Sequence, residues 1–241
     1  MTHYHPSIET LTDYAAGSLP LAHSLCISTH LELCSECQQQ VRKLEMLGSE
    51  FFEDTKSEDR QLNSLKDSFF AHLETESHSA TLAEQAKEEK RQMLDQTNES
   101  KALDWDAYKV PKSLRQFIPK GYDDLKWSRI SPSFKMATLC NEEGGAQIAL
   151  TRIKAGSHMP THTHTGDELT LVLEGAFSDE SGVYRQGDFI SRDSSHKHQP
   201  IVTKDAECIC LTVLDAPVEF TGWFTRLLNP ILRRHHPHSG L

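Results

Sequence analysis

No stretch of the chain approaches the roughly 18 consecutive apolar residues of a membrane-spanning helix. Its first residues, MTHYHPSIET, lack both the basic start and the apolar run of a signal peptide. A cytoplasmic protein without a membrane partner is therefore expected. Positive charge is also scarce: the 241 residues hold 25 Lys and Arg against 35 Asp and Glu, a formal net charge of -10. Nucleic-acid affinity comes largely from clustered Lys and Arg that release counterions, so direct nucleic-acid binding is disfavoured and a basic protein surface is the better partner. Six cysteines are too few for a disulfide scaffold at this length. In a reducing compartment the close pair Cys34 and Cys37 then points to a metal or to redox chemistry. Cys208 and Cys210, in the apolar β-type run ECICLTVL, are expected to be buried free thiols, and Cys26 and Cys140 carry no further signal.

What is present falls into three zones, and the length favours two domains. Residues 7–54 read as helices. Ile8, Leu11 and Ala15 share a face ahead of a stop at Gly17, and LPLAHSLCISTHLELC opens with Pro20 near a helix start. A third helix, capped by Ser35, carries Val41, Leu44, Leu47 and Phe51 at helical spacing. Residues 55–104 are rich in charge and amide. Two amphipathic stretches lie within them, one around Leu65, Phe69, Phe70 and Leu73 and one from Leu82 to Leu94; one should dock as a fourth helix and the rest should be solvated tether. From Trp105 onward, KMATLC, AQIALTRI, ELTLVLEGAF, GDFISR, IVTKD and ECICLTVL are short β-rich runs separated by turn residues, the spacing of an all-β sandwich or barrel. The expected class is two-domain α + β. A helical domain over 1–95 and a linker over 96–104 precede a β domain over 105–225, and a tail over 226–241 ends in histidines expected to be disordered.

The segment THLELCSEC places His30 one helical turn before Cys34, and Cys37 three residues further on. A structural zinc takes four such ligands tetrahedrally, and a Cys-x2-Cys turn holds two sulfurs close enough to share one ion. If Ser35 caps the following helix, Cys37 sits in its first turn, where the positive helix end favours a thiolate. The fourth ligand is expected to be His5, which precedes a separate helix able to pack alongside, with His3 the next choice. His23 lies two helical turns from the cluster.

HPSIETLTDYAAGSLPLAHSLCISTHLELCSECQQQV resembles the N-terminal domain of zinc-binding anti-sigma factors, whose pattern is a distant His followed by His-x3-Cys-x2-Cys. It is most similar to the ChrR-type members, which share YAAGSL and carry a C-terminal cupin-like domain. The family pattern falls on His5, His30, Cys34 and Cys37. The resemblance implies a zinc-stabilised helical bundle that binds an extracytoplasmic-function, group IV-like sigma factor one to one. It also implies release under singlet oxygen or related oxidative stress.

A second constellation lies in GSHMPTHTHTGDELTLVLEG. Gly156, His162, His164, Glu168 and Gly175 follow the first cupin motif, Gly-x5-His-x-His-x3-Glu-x6-Gly. On a strand His162 and His164 point to one side and Glu168 opens the next strand, so the three can converge inside a jelly-roll barrel. The second cupin motif starts at Gly187-Asp188 and reaches His198 in register, although Asp193 and Ser195 replace its Pro and Gly. His158 and His196 are expected in turns. A site of His162, His164, Glu168 and His198 suits one divalent metal, zinc first and iron, manganese or nickel next, with coordination positions left open. An open site also allows a cupin metalloenzyme of dioxygenase type with a zinc interaction module. No acid-base or nucleophile set stands beside the ligands, which favours a regulator that is not an enzyme.

Overall fold

The computed structural model describes residues 2–53, 66–68, 110–141, 145–230 and 236. The amphipathic stretches expected between 55 and 104 lie outside these residues save for one helical turn at 66–68, as do the boundaries at 95 and 104.

Helix α1 (Ile8–Ala15) starts where Ser7 Oγ accepts the Thr10 N–H at 3.2 Å. It stops at Gly17, whose φ of 69° lets the Ser18 N–H return to the Asp13 carbonyl at 2.9 Å. Helix α2 (Leu21–Leu33) follows Pro20, and a single residue, Cys34, separates it from α3 (Ser35–Glu53). The expected cap on α3 is displaced by one position. Ser35 is already helical, while Cys34 is extended (φ -129°, ψ 100°) and its Sγ accepts the Cys37 N–H at 3.4 Å. The expected stripe on α3 is buried only in its first half: Val41 is buried, but Leu47 and Phe51 are 51% and 69% exposed.

The β region has one large sheet and two small ones. Strands β1 (Ser128–Arg129), β2 (Phe134–Asn141), β3 (Gln147–Ile153), β11 (Cys208–Leu214), β5 (Glu168–Glu174) and β8 (Phe189–Arg192) pair antiparallel in that order. One small sheet is β10 (Ile201–Val202), β6 (Ala176–Asp179) and β7 (Gly182–Arg185). The other is β12 (Glu219–Phe220), β4 (His162–Thr163) and β9 (Lys197–His198). The jelly roll is thus built from three sheets and not from one closed ladder.

The large sheet is buried on both faces, and β11 is buried at every position. Cys208, Cys210 and Leu214 join Phe177, Tyr184, Val202 and Phe220 of the small sheets in an inner core. Ile209, Leu211 and Val213 face the other way, into a core with Leu11 of α1, Ala22, Cys26 and Ile27 of α2, and Val41 of α3. A strand covered on both sides needs apolar residues on both, which is why ECICLTVL shows no alternation. The helices therefore complete a core with the outer face of the sheet, an arrangement that the sequence zones do not reveal.

Candidate metal centres

The turn between α2 and α3 builds the first centre. Ligand atoms of His5, His30, Cys34 and Cys37 all lie within 4.8 Å of one another. His5 Nδ1 is 3.4 Å from both Cys34 Sγ and Cys37 Sγ. His30 is fully buried; its Nδ1–H donates to the Gly187 carbonyl at 2.9 Å, which leaves Nε2 as a lone pair. That Nε2 has no hydrogen-bond partner. A buried imidazole with one nitrogen engaged and the other orphaned toward two sulfurs is what a metal ligand looks like before its ion. Burial holds His30 down at about 4, so it is neutral at pH 7. Burial, reinforced by the neighbouring Cys34, pushes the Cys37 thiol up to about 12. The helix end does not by itself produce the expected thiolate, because desolvation outweighs it; a cation must displace the proton. His3 and His23 lie elsewhere: the His3 amide bonds Asp188 at 2.6 Å, and His23 pairs with Asp215 at 3.5 Å.

The second centre sits between the sheets. His162 opens β4, His198 faces it across β9, and His164 follows on the same side as His162. Two rings have Nδ1 engaged outward, His162 with the Pro160 carbonyl at 3.0 Å and His198 with Asp179 at 2.9 Å, while His164 Nδ1 lies 2.9 Å from Glu168 Oε2 without the alignment of a hydrogen bond. All three Nε2 atoms face inward, 3.0 Å apart for His162 and His198 and 3.3 Å for His164 and His198. Three converging lone pairs repel unless a cation or proton lies among them, so this donor set fits a metal. Burial holds His162 at about 4, which disfavours a proton there. Glu168 lines the same cavity, with its carboxylate beside His164 and bonded to Thr170 Oγ1 at 2.6 Å. Although burial opposes ionisation, the adjacent His164 and the imidazole charges hold Glu168 down at about 2. His196 is a turn residue paired with Asp193 at 2.8 Å, and His158 is exposed. One tail histidine departs from expectation: His236 is buried and bonds the Leu214 carbonyl at 3.0 Å.

Two acidic residues take parts that the sequence reading does not assign: Asp179 is not singled out, and Asp188 is read only as a motif start. Asp179 orients His198 and also receives Arg192 at 3.3 Å and the Tyr184 hydroxyl at 3.1 Å. Asp188 is fully buried and accepts the backbone N–H groups of His3, Tyr4 and Arg185. Asp179 lies in no motif, and only its fold partners mark it.

A cupin-type sheet assembly holding a three-histidine pocket, joined to a helical His2Cys2 cluster, defines a class of protein with two sets of potential metal ligands. Residues 118–217 match the family described as the ChrR cupin-like domain. The anti-sigma-E factor ChrR of Cereibacter sphaeroides is 32% identical over 231 residues, covering 95% of this chain and 98% of the relative. The chain belongs to the ChrR anti-sigma factor family. The crystal structure of Rhodobacter sphaeroides SigE in complex with the anti-sigma ChrR superposes with a TM-score of 0.68 at 29% identity, over 89% of this chain and 100% of that one. An acetylacetone dioxygenase from Acinetobacter johnsonii overlaps 38% of this chain and 66% of its own at 16% identity and a TM-score of 0.34, too distant to speak to chemistry.

Proposed function

We propose that this protein is a cytoplasmic anti-sigma factor. Its N-terminal region, residues 1–95, binds and silences an extracytoplasmic-function sigma factor in a one-to-one complex, and the cupin-like region, residues 105–225, controls release under singlet oxygen or related oxidants. The observation that carries this reading is the family match along 95% of the chain, to a relative whose own name is that of an anti-sigma factor. The exposed Leu47 and Phe51 on α3 offer the apolar contacts that such an interface uses. No helix among the described residues is long and apolar enough to cross a membrane, which is compatible with this location.

His5, His30, Cys34 and Cys37 are proposed to hold a structural zinc, which would tie the chain before α1 to the α2–α3 turn and so supply folding energy to a small helical unit. His162, His164 and His198 are proposed to hold one divalent ion, zinc first. Glu168 is proposed as the fourth donor, its carboxylate leaving His164 for the ion. The proposed role is sensing and not turnover. Loss of the ion or oxidation of an imidazole would break the inward set of nitrogens and shift the packing around it.

The test is titration of the purified full-length protein with extracytoplasmic-function sigma factors of the same genome, with zinc counted in the same sample. A tight one-to-one complex containing zinc is expected. Absence of binding to every such sigma factor, together with metal-dependent turnover of a small molecule, would replace this reading with a cupin enzyme.

A further inference from the structure

His30 and the chain that carries His5 both rest on the β7–β8 turn of the cupin-like region. His30 donates to the Gly187 carbonyl at 2.9 Å. The chain before α1 lies on the same turn: the Phe189 N–H bonds the Tyr4 carbonyl at 3.0 Å, and Asp188 accepts the His3 and Tyr4 amides. Gly187 has a φ of 90°, and a Cβ there would stand 2.5 Å from the Thr2 side chain. The hydroxyl end of Tyr4 covers Gly182, where a Cβ would collide with it.

The Tyr4 ring packs on the buried Tyr184 ring with centroids 4.6 Å apart. Tyr184 in turn donates its hydroxyl to Asp179, the carboxylate that fixes the tautomer of His198. A run of direct contacts therefore leads from His198 through Asp179 and Tyr184 to Tyr4, the residue next to His5 in the chain. Arg192 closes the run from the side, bonding the Tyr184 hydroxyl at 2.7 Å and Asp179 at 3.3 Å.

We propose that Tyr4 and Tyr184 couple the two metal centres, so that emptying the cupin site loosens His5 and speeds loss of zinc from the first centre. The inference rests on the proposed zinc occupancy of both centres. Physically, an ion on His198 Nε2 strengthens the donation of its Nδ1–H to Asp179. Without the ion His198 is free to turn and Asp179 Oδ2 loses one of its two partners; the carboxylate then rests on Arg192 and on the Ser181 N–H at 2.8 Å, and the Tyr184 hydroxyl that holds the ring under Tyr4 follows its shifted acceptor. Tyr4 and Tyr184 are positioning residues, since neither is a ligand.

The experiment uses full-length protein loaded with zinc. Release from the first centre is followed with a chromophoric chelator, and exposure of Cys34 and Cys37 by alkylation mapped to those residues. Emptying the cupin site with His162→Ala, a residue outside the run, should speed both by about tenfold or more, the usual size of an effect carried by residues behind a ligand. Tyr184→Phe keeps the ring and removes the hydroxyl, so it should make release indifferent to His162→Ala; Tyr4→Phe, which keeps the stacked ring, should behave as wild type. Circular dichroism confirms that each conservative variant is folded. If His162→Ala releases zinc from Cys34 and Cys37 at the wild-type rate, or if Tyr184→Phe leaves its effect intact, the coupling is overturned while the zinc reading stands. A wild-type protein that takes up no zinc through Cys34 and Cys37 overturns the zinc reading itself.

Discussion

A histidine side chain offers two nitrogens, and in both centres the fold spends one so that the other is left for an ion. At the first centre Gly187 takes one nitrogen of His30; at the second, Pro160 and Asp179 take one each from His162 and His198, and the Glu168 carboxylate lies 2.9 Å from His164. Replacing Cys34 or Cys37 by Ala should remove the first zinc, lowering the count by one per chain in elemental analysis, and should abolish sigma binding by loosening the helices. Retention of a tight complex by the zinc-free double variant would contradict this. The buried imidazoles also set an acid limit for metal-free protein. His30 and His162 have pKa values lowered from 6.5 to about 4 in the fold. Between those values the unfolded chain binds more protons, so the stability they contribute is complete above about pH 6.5 and is lost as pH falls toward 4. Near pH 5 each should cost about 2 kcal/mol. Urea denaturation of the chelated protein at pH 7 and pH 5 measures the difference, and a midpoint that does not fall with pH would refute it.

At the scale of elements, α2 decides how the helices and the sheet meet. Its buried residues Ala22, Cys26 and Ile27 pack on the apolar face that β5 and β11 turn away from the cupin pocket. Ile27 is fully buried in this core, and truncation to Ala should destabilise by about 2 to 5 kcal/mol through lost burial and a residual cavity. Because helices and sheet share that core, helical and near-ultraviolet signals should fall in one urea transition shifted to lower denaturant. Separate transitions would show that the shared core contributes little. The half-buried stripe on α3 follows the same physics, since Val41 reaches the core whereas Leu47 and Phe51 lie beyond it.

At the scale of the whole molecule, the proposed release requires that chemistry in the cupin-like region reach the helices proposed to bind the sigma factor. Replacing His162, His164 and Glu168 together should remove the response to singlet oxygen, read as the difference between the fractions of complex surviving with and without illumination of a photosensitiser. A variant complex that dissociates like wild type would refute sensing by this site. The contacts that tie His30 and Tyr4, the neighbour of His5, to the β7–β8 turn offer a path for the proposed communication.

The sequence by itself determined the local chemistry: the Gly17 stop, the short β runs, and the ligand types at His-x3-Cys-x2-Cys and His-x-His. These depend on the nature and spacing of neighbouring residues, which the chain carries explicitly. It did not reveal that Cys34 caps α3, that His236 is buried, or that Asp179 and Asp188 organise the regions around the two centres. Nor did it show the helices lying on the outer face of the sheet. Those features depend on which distant surfaces meet, and an apolar strand such as ECICLTVL is equally apolar whatever covers its second face. Only the tertiary structure, by placing α2 there and threading Tyr4 over Tyr184, decided that the two centres share one body.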